Sequence, residues 1–195
     1  MRKASVNRQT KETKISLILN LDGTGECQID TGIGFFNHML ELFAAHGRFD
    51  LTLECKGDLK VDGHHTVEDV GIALGTAFQK ALGEKRGIRR YADLVLPMDE
   101  ALILIALDIS GRSYLGYEVQ FPVPAVGQWD TQLLEEFLLA FTRSMGLTLH
   151  VRQLAGKNAH HIAEAVFKGL GRALAHAVTI QNGMEDQIPS TKGLL

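Results

Sequence analysis

The sequence predicts an α+β fold built from two similar halves, in which helices pack between two small sheets. Two observations favour it: strand-like and helix-like segments alternate along the chain, and the first half of the sequence overlays on the second half. A third observation is that the motif HHxxE occurs twice, at residues 64–68 and 160–164. A periodic self-match of this kind indicates duplication of one structural unit.

The overlay has two displacements. A displacement of 96 places Leu51–Leu53 on Leu147–Leu149, and carries the first HHxxE onto the second. A displacement of 88 places residues 12–23 on 100–111, so that Glu12 meets Glu100. We therefore predict a first half at residues 1–92, a second half at 93–182 and a tail at 183–195.

Each half is predicted to run strand, helix, strand, helix. In the first half these segments are 13–21, 34–47, 48–57 and 64–82; in the second they are 101–109, 131–146, 147–156 and 160–178. Apolar residues keep helical spacing in the last helix of each half, and the preceding helices end at glycine. Residues 83–99 are predicted to link the halves.

Composition indicates a soluble protein of the cytoplasm. The net charge of −3 gives no field that would favour nucleic acid or an anionic membrane. No apolar core of a signal peptide opens the sequence, and no apolar run approaches the roughly 18 residues of a membrane span. The two cysteines, Cys27 and Cys55, form no CxxC and are predicted to be reduced thiols.

The HHxxE motifs predict metal binding at two helix starts. Asp62 and Asn158 stand two positions before the doublets and are suitable N-cap residues. Adjacent histidines diverge by about 100° around a helix, whereas residues three or four apart share a face. Each helix can therefore offer a His–Glu pair to one ion and the other histidine to a second ion.

Other histidines extend the candidate ligand set. His38 lies among apolar neighbours in a predicted helix, and His150 lies on a predicted strand at the position of Glu54 in the other half. His46 and His176 are interpreted as structural. Imidazole with carboxylate suits zinc, iron, nickel or manganese, and the motifs contain no cysteine for a structural zinc site.

A cationic group predicts an anion site. The cations and hydroxyls lie in KRGIRRY (Lys85, Arg86, Arg89 and Arg90), at Arg112 after a strand, at Lys168 on the second HHxxE helix, and in the tail at Ser190, Thr191 and Lys192. Guanidinium, ammonium and hydroxyl groups of this kind are common around phosphate. Lys85 and Arg86 lie in the same charged segment, but a charged link is expected to be solvated.

At these residues the sequence closely resembles the imidazoleglycerol-phosphate dehydratases. The motifs that carry the resemblance run through most of the chain: RQTKET, LNLDGTG, DTGIGFFNHML, HHTVEDVGIALG, RGIRRYADLVLPMDEAL, DISGRSYL, NAHHIAEAVFKGLGRAL and IPSTKG. The resemblance implies a ribosomal protein S5 domain 2-like fold, two manganese(II) ions per active site, and a homo-oligomer of 24 subunits with sites at subunit interfaces.

The resemblance also implies roles for individual residues. The metal ligands would be His38, His64, His65, Glu68, His150, His160, His161 and Glu164. The substrate-binding residues would be Glu12, Arg90, Arg112, Lys168, Ser190 and Lys192. Catalytic roles would fall to Glu12, His65, Glu68, His161 and Glu164. Asn37, Leu42 and Gly63 depart from the residues common in the family.

The implied reaction dehydrates D-erythro-imidazoleglycerol 3-phosphate to imidazole-acetol phosphate in histidine biosynthesis. Metals on both ring nitrogens favour a metal-bound imidazolate, which can expel the neighbouring hydroxyl and give a diazafulvene. The adjacent carbon then loses a proton to a base, for which Glu12 is the candidate. Two other classes remain open: a dinuclear metallohydrolase of phosphate esters or amides, and a non-catalytic protein that stores metal or forms a cage.

Overall fold

The computed structural model describes residues 2–195, which form two four-stranded sheets, four long helices and a short hairpin. The first sheet has the order β1-β2-β4-β3 and the second has the order β5-β6-β10-β7. The strands are β1 Lys3–Gln9, β2 Thr13–Asn20, β3 Cys27–Asp30, β4 Asp50–Gly57, β5 Tyr91–Met98, β6 Ala101–Asp108, β7 Tyr114–Glu118, β8 Ala125–Val126, β9 Trp129–Asp130 and β10 Thr148–Ala155. The helices are α1 Gly34–Gly47, α2 His64–Leu82, α3 Leu133–Met145 and α4 Ala159–Val178.

The α+β prediction with helices between two sheets is confirmed. Helix α2 lies on β1 and β2, and α4 lies on β5 and β6. The helices then pair across the halves, α2 against α3 and α1 against α4. No helix within residues 2–195 has the length and apolar character needed to cross a membrane.

The two halves share one hydrophobic core. Alternate residues of β2 and β6 are buried, as expected for sheets with one covered face. Aromatic rings from both halves meet between the sheets: Phe36 lies 5.5 Å from Phe137, and Phe78 lies 5.6 Å from Phe141, between ring centroids. Neither half therefore completes its apolar interior alone.

The helix pairs approach closely because glycine faces backbone at the crossings. A Cβ at Gly75 of α2 would lie 2.5 Å from the carbonyl oxygen of Phe141 in α3. A Cβ at Gly171 of α4 would lie 2.4 Å from the carbonyl oxygen of Phe43 in α1. These two glycines are equivalent under the displacement of 96. The duplication has therefore kept the same contact at both crossings.

The prediction that residues 83–99 form a link is wrong, because they contain the edge strand β5. Strand β1 was also missing from the prediction, although it is the equivalent of β5 under the displacement of 88. Strands β3 and β7 pair in parallel with β4 and β10 and were likewise not predicted. The predicted boundary between residues 92 and 93 falls inside β5.

The register of the sheets corrects one alignment. Leu19 pairs with Leu51 in the first sheet, and its equivalent Leu107 pairs with Leu149 in the second. Leu51 is therefore equivalent to Leu149, two residues beyond the predicted Leu147. The helices keep the displacement of 96, so the extra residues lie between β4 and α2: six residues separate Gly57 from His64, whereas four separate Ala155 from His160.

Candidate metal centre

Helix α4 begins with the second histidine doublet, and Asn158 caps it as predicted. The Asn158 side chain accepts the backbone N–H groups of His160 and His161, while its own backbone is extended. Glu164 lies one turn further on the face of His160, and its Oε1 is 3.1 Å from His160 Nε2. The spacing of four residues therefore aligns an imidazole and a carboxylate.

His38 joins this pair from α1. Its Nε2 lies 3.0 Å from the same Oε1 atom of Glu164. Ligand atoms of His38, His160 and Glu164 all lie within 4.8 Å of one another, which makes them a group that could hold a metal ion. The edge of the Phe35 ring packs against His160, with 5.2 Å between ring centroids. The packing of α1 on α4 thus creates the group.

Lys168 neutralises the carboxylate of this group. Its Nζ donates to Glu164 Oε2 at 2.6 Å and also contacts the sulfur of Met98. Burial would raise the pKa of Glu164, but hydrogen bonds from Lys168, His38 and His160 outweigh it and lower the pKa to about 2. Glu164 is therefore ionised at neutral pH and suited to a cation.

His161 points elsewhere, as the predicted divergence requires. Its Nδ1 lies 2.7 Å from Glu100 Oε2, and its Nε2 lies 3.6 Å from Asp99 Oδ2. Glu100 also accepts the backbone N–H groups of Lys157 and Asn158. The hydrogen bond from His161 and these amides lower the pKa of Glu100 to about 2, and the carboxylate in turn raises the pKa of His161.

The first doublet opens α2, but its predicted cap is displaced. The helix begins at His64, so that Gly63 rather than Asp62 occupies the N-cap position, and Gly63 offers no side chain to the exposed amides. Asp62 nevertheless accepts the backbone N–H of His64 at 2.8 Å. The longer connection from β4 accounts for the difference, because Asp62 lies in that connection, outside the helix.

His65 stands between two carboxylates. Its Nδ1 is 3.0 Å from Asp58 Oδ2, and its Nε2 is 3.9 Å from Glu12 Oε1. The hydrogen bond to Asp58 raises the pKa of His65. Glu68 is half-buried one turn after His64. Within residues 2–195, His64, His65 and Glu68 do not form a three-ligand group like that at His160.

His150 lies apart from both helix starts. Its neighbours Leu149 and Val151 are fully buried against the helices, so His150 projects from the opposite, outer face of the second sheet. Gly116 on the adjacent strand leaves room for it, since a Cβ there would lie 2.6 Å from Nδ1. The predicted equivalence to Glu54 is wrong, because His150 pairs with Ala106 and its equivalent is Thr52, opposite Ile18.

The cationic residues divide into two places. Arg90 donates to both carboxylate oxygens of Asp108, and also donates to the carbonyl of Pro189 at 2.8 Å. The tail therefore runs beside Arg90, and Ser190 Oγ accepts the N–H of Lys192 there. Arg112 is 70% exposed and 4.0 Å from Asp108. Lys168 stands apart from them on α4, where its Nζ donates to Glu164.

The expectation that Lys85 is solvated is wrong. Lys85 is buried, and burial lowers its pKa. Arg86 remains exposed and donates to Glu84 and to the carbonyl of Asp186.

Cys27 and Cys55 are unpaired, as predicted. Asn37 accepts hydrogen bonds from the backbone N–H and the hydroxyl of Thr31 and so fixes the approach to α1.

A cleft of about 550 Å³ borders the start of α2. It is lined by the loop before α1, by Asp62–His64, and by the β8–β9 hairpin with Trp129. Of the predicted ligands it touches His64 alone. The cleft therefore lies beside the first doublet, and it borders the His38–His160–Glu164 group through Phe35, which packs against His160.

Sequence reasoning missed the carboxylates that hold the second histidine of each doublet. Asp58 precedes its partner His65 by seven residues, in a loop, and no periodic signal marks it. Glu100 is 61 residues from His161. Its equivalence to Glu12 could have indicated a role, because both follow an edge strand and precede the strand paired with it.

Comparison with known proteins gives the class and then the family. The imidazoleglycerol-phosphate dehydratase family model matches residues 31–174. Imidazoleglycerol-phosphate dehydratases from Azorhizobium caulinodans and Caldicellulosiruptor bescii are 60% and 57% identical over the whole chain and cover 99% and 98% of those proteins.

Crystal structures agree with the sequence comparison. Imidazoleglycerol-phosphate dehydratase from Staphylococcus aureus superposes with a TM-score of 0.84 at 36% identity, covering 92% of this chain and 99% of that one. The Pyrococcus furiosus enzyme, in complex with (S)-C348, gives the same TM-score and identity over 97% and 100%. Fold, donor groups and relatives together define a metal-dependent hydro-lyase of the duplicated α+β class. The chain belongs to the imidazoleglycerol-phosphate dehydratase family and is an enzyme of histidine biosynthesis.

Proposed function

We propose that this enzyme dehydrates D-erythro-imidazoleglycerol 3-phosphate to imidazole-acetol phosphate, and that it works in the cytoplasm. The observation that carries the proposal is the convergence of His38, His160 and Glu164 in a chain of this family. The substrate is itself an imidazole, so a protein that gathers imidazole and carboxylate donors around metal can hold the substrate ring by its nitrogens.

We propose that the donor set holds two manganese(II) ions per active site. His38, His160 and Glu164 present two Nε2 atoms and one carboxylate oxygen to a common point. We assign His64, His65, Glu68, His150 and His161 as the remaining ligands. The carboxylate ligands suit manganese, and the set contains no thiolate that would select a softer metal. Bound there, the ions would supply Lewis acidity that favours the anionic form of the substrate ring.

Glu12 is positioned to move the proton. Its carboxylate is 51% exposed and lies 3.9 Å from His65 Nε2, on the turn between β1 and β2. Once the hydroxyl next to the ring has left, the adjacent carbon–hydrogen bond is acidified by the electron-deficient ring. A carboxylate beside a ring ligand can accept that proton, and the resulting enol becomes the ketone.

The phosphate is assigned to the cations near the tail. Arg112 projects into solvent, and Ser190 and Lys192 lie in a tail held to Arg90 through the carbonyl of Pro189. Arg90 supports this arrangement through Asp108, whereas Lys168 stands at the metal group and would reach a phosphate only next to it. Fixing the phosphate positions the distant ring for reaction.

Active sites formed between chains would account for the proposed metal ligands that lie far apart within one chain. His150 projects from the outer sheet face, away from the helix starts, so it can meet them most simply from another subunit. We propose a homo-oligomer of 24 subunits with sites at its interfaces. We also propose that residues 1–92 and 93–182 are the two copies of the duplicated unit and that residues 183–195 form a tail contributing to the phosphate site.

Metal content measured together with turnover tests this function. Glu164→Gln should bind less manganese and lose turnover on the order of 100-fold or more, because a ligand and its charge are removed. Glu41→Gln is the matched control: Glu41 is a half-exposed carboxylate 4.0 Å from His38 Nδ1, outside the group. Full turnover with full manganese content in Glu68→Gln or His161→Ala would contradict the proposal, as would release of free phosphate from the substrate.

A further inference from the structure

Two glutamates, Glu12 and Glu100, occupy equivalent positions in the duplicated halves but make different contacts. We propose that Glu100 is a positioning residue that fixes the ring of His161, that Asp58 does the same for His65, and that Glu12 is thereby left free for proton transfer. The inference deepens the proposed function and rests on it for the role of Glu12.

Glu100 holds one side of His161 and is itself held. Its Oε1 accepts the backbone N–H of Asn158 at 2.7 Å and that of Lys157 at 3.0 Å. Its Oε2 is left to face His161 Nδ1 at 2.7 Å. An ionised carboxylate accepts hydrogen bonds but cannot donate them, so the ring must donate from Nδ1. The lone pair is then on Nε2, the atom available to a metal.

Asp58 makes the same contact in the first half from a different place in the sequence. Its carboxylate lies 3.0 Å from His65 Nδ1, which again leaves Nε2 as the ligand atom. The residue equivalent to Asp58 in the second sheet lies at the end of β10, where there is no carboxylate. The longer connection between β4 and α2 supplies Asp58, and no such residue is needed in the other half because Glu100 is present.

Glu12 occupies the turn equivalent to that of Glu100 but faces the other ring atom. It lies on the Nε2 side of His65, at 3.9 Å, rather than on the Nδ1 side. Within residues 2–195 its carboxylate accepts no hydrogen bond, whereas Glu100 accepts three. Because Asp58 has taken the Nδ1 contact, Glu12 is not needed to orient the ring. Metal-ligating histidines usually donate their second N–H in this way, and loss of the acceptor weakens metal binding about 10–100-fold.

The test measures the ring tautomer and manganese binding separately from turnover. Nitrogen NMR of metal-free protein, at a pH where the rings are neutral, should find His65 and His161 protonated on Nδ1. Glu100→Gln and Asp58→Asn place an amide N–H₂ against Nδ1 and should move the proton to Nε2. Both should weaken binding of Mn²⁺ alone, titrated by calorimetry, by about 10–100-fold. Glu12→Gln should keep the His65 tautomer and Mn²⁺ affinity while losing turnover.

Asp99→Asn is the matched control, because it removes one charge 3.6 Å from Nε2 of the same ring without touching Nδ1. Its Mn²⁺ affinity should stay within about twofold of the parent value, since a residue beside a metal ligand affects the affinity through its hydrogen bond to that ligand. If Asp99→Asn and Glu100→Gln weaken binding equally, or if neither tautomer shifts, the proposal is overturned. Should Glu100→Gln fail to fold, Glu100→Asp, which keeps a carboxylate, must retain Nδ1 protonation. Correct tautomers in a protein that does not dehydrate the substrate would overturn the proposed function alone.

Discussion

Asp50 closes the connection between β2 and β3 with a single carboxylate. Its Oδ1 accepts the backbone N–H groups of Thr24, Gly25 and Glu26, and its Oδ2 accepts from the amide of Asn20. These hydrogen bonds lower the pKa of Asp50, and the one from the backbone of Thr24 has the largest effect. The connection leads into β3 and then α1, which carries His38.

Removing that carboxylate should destabilise the fold. Asp50→Ala leaves three amides without their acceptor, and we expect a loss of about 1–3 kcal/mol in the free energy of unfolding at pH 7, measured by urea denaturation. Asp50→Asn, which keeps an acceptor oxygen, should lose less. Because the folded pKa is lowered, the contribution is present above the unfolded pKa of about 3.9 and is lost as pH falls through the folded value. A difference between Asp50→Ala and the parent that grows on acidification would contradict this account.

At the scale of elements, the contact between a helix and its sheet is polar in the first half and apolar at the equivalent positions of the second half. In the first half Arg8 of β1 and Thr13 of β2 both donate to the buried carboxylate of Asp69 on α2. The equivalent residues in the second half are Leu96, Ala101 and Ala165, all buried. The strand pairs have the same register, since Arg8 pairs with Ile15 and Leu96 pairs with Ile103.

The difference gives a stability prediction. Asp69→Ala should cost about 2 kcal/mol, less than for a fully buried pair because the Arg8 side chain is 34% exposed. The triple variant Arg8→Leu, Thr13→Ala, Asp69→Ala copies the apolar set of the second half and should be more stable than Asp69→Ala alone, since no polar group is left without a partner. Equal or lower stability of the triple variant in urea unfolding would refute the equivalence.

The glycine crossings give a second prediction at this scale. Gly75→Ala and Gly171→Ala push a methyl group into the backbone of the facing helix, which cannot rotate away, and each should cost about 3 kcal/mol or more. Gly34→Ala is the control. Gly34 also lies in a helix, but a Cβ there meets nothing within 4 Å, so its effect on thermal unfolding should be small or stabilising. A loss at Gly34 as large as at Gly75 would show that the crossings are not responsible.

At the scale of the whole molecule, the proposed metal ligands do not all converge within one chain. His38, His160 and Glu164 meet, whereas His150 is on the outer face of the second sheet. If His150 and Glu164 of one active site come from different chains, two inactive variants should complement each other. Subunits of His150→Ala and Glu164→Gln, dissociated and reassembled at equal concentrations, should regain roughly a quarter of the sites, by random mixing in a symmetric oligomer.

Separate reassembly of each variant is the control and should remain inactive. Hybrid particles that recover no activity, although each variant assembles with the parent chain, would place His150 and Glu164 of a site in the same chain or remove His150 from it. The measurement also tests assembly itself, because complementation requires contact between subunits.

The sequence by itself determined the duplicated α+β fold, the four helices and the placement of a histidine doublet and a glutamate at each of two helix starts. Periodicity and the repeated HHxxE carry this information locally, since residues three and four apart on a helix must share a face. Edge strands β1, β3, β5 and β7 were not predicted, because strand formation depends on the neighbouring strand and on packing as well as on a segment's own pattern.

Only the tertiary structure decided which donors meet and which carboxylates hold them. His38 reaches Glu164 because α1 crosses α4 at a glycine, and Asp58 reaches His65 because the connection from β4 is longer than its counterpart. Sheet register, not alignment of letters, assigned Thr52 rather than Glu54 as the equivalent of His150. Such contacts join residues far apart in the chain, and their distances are set by the packing of whole elements, which a linear pattern does not specify.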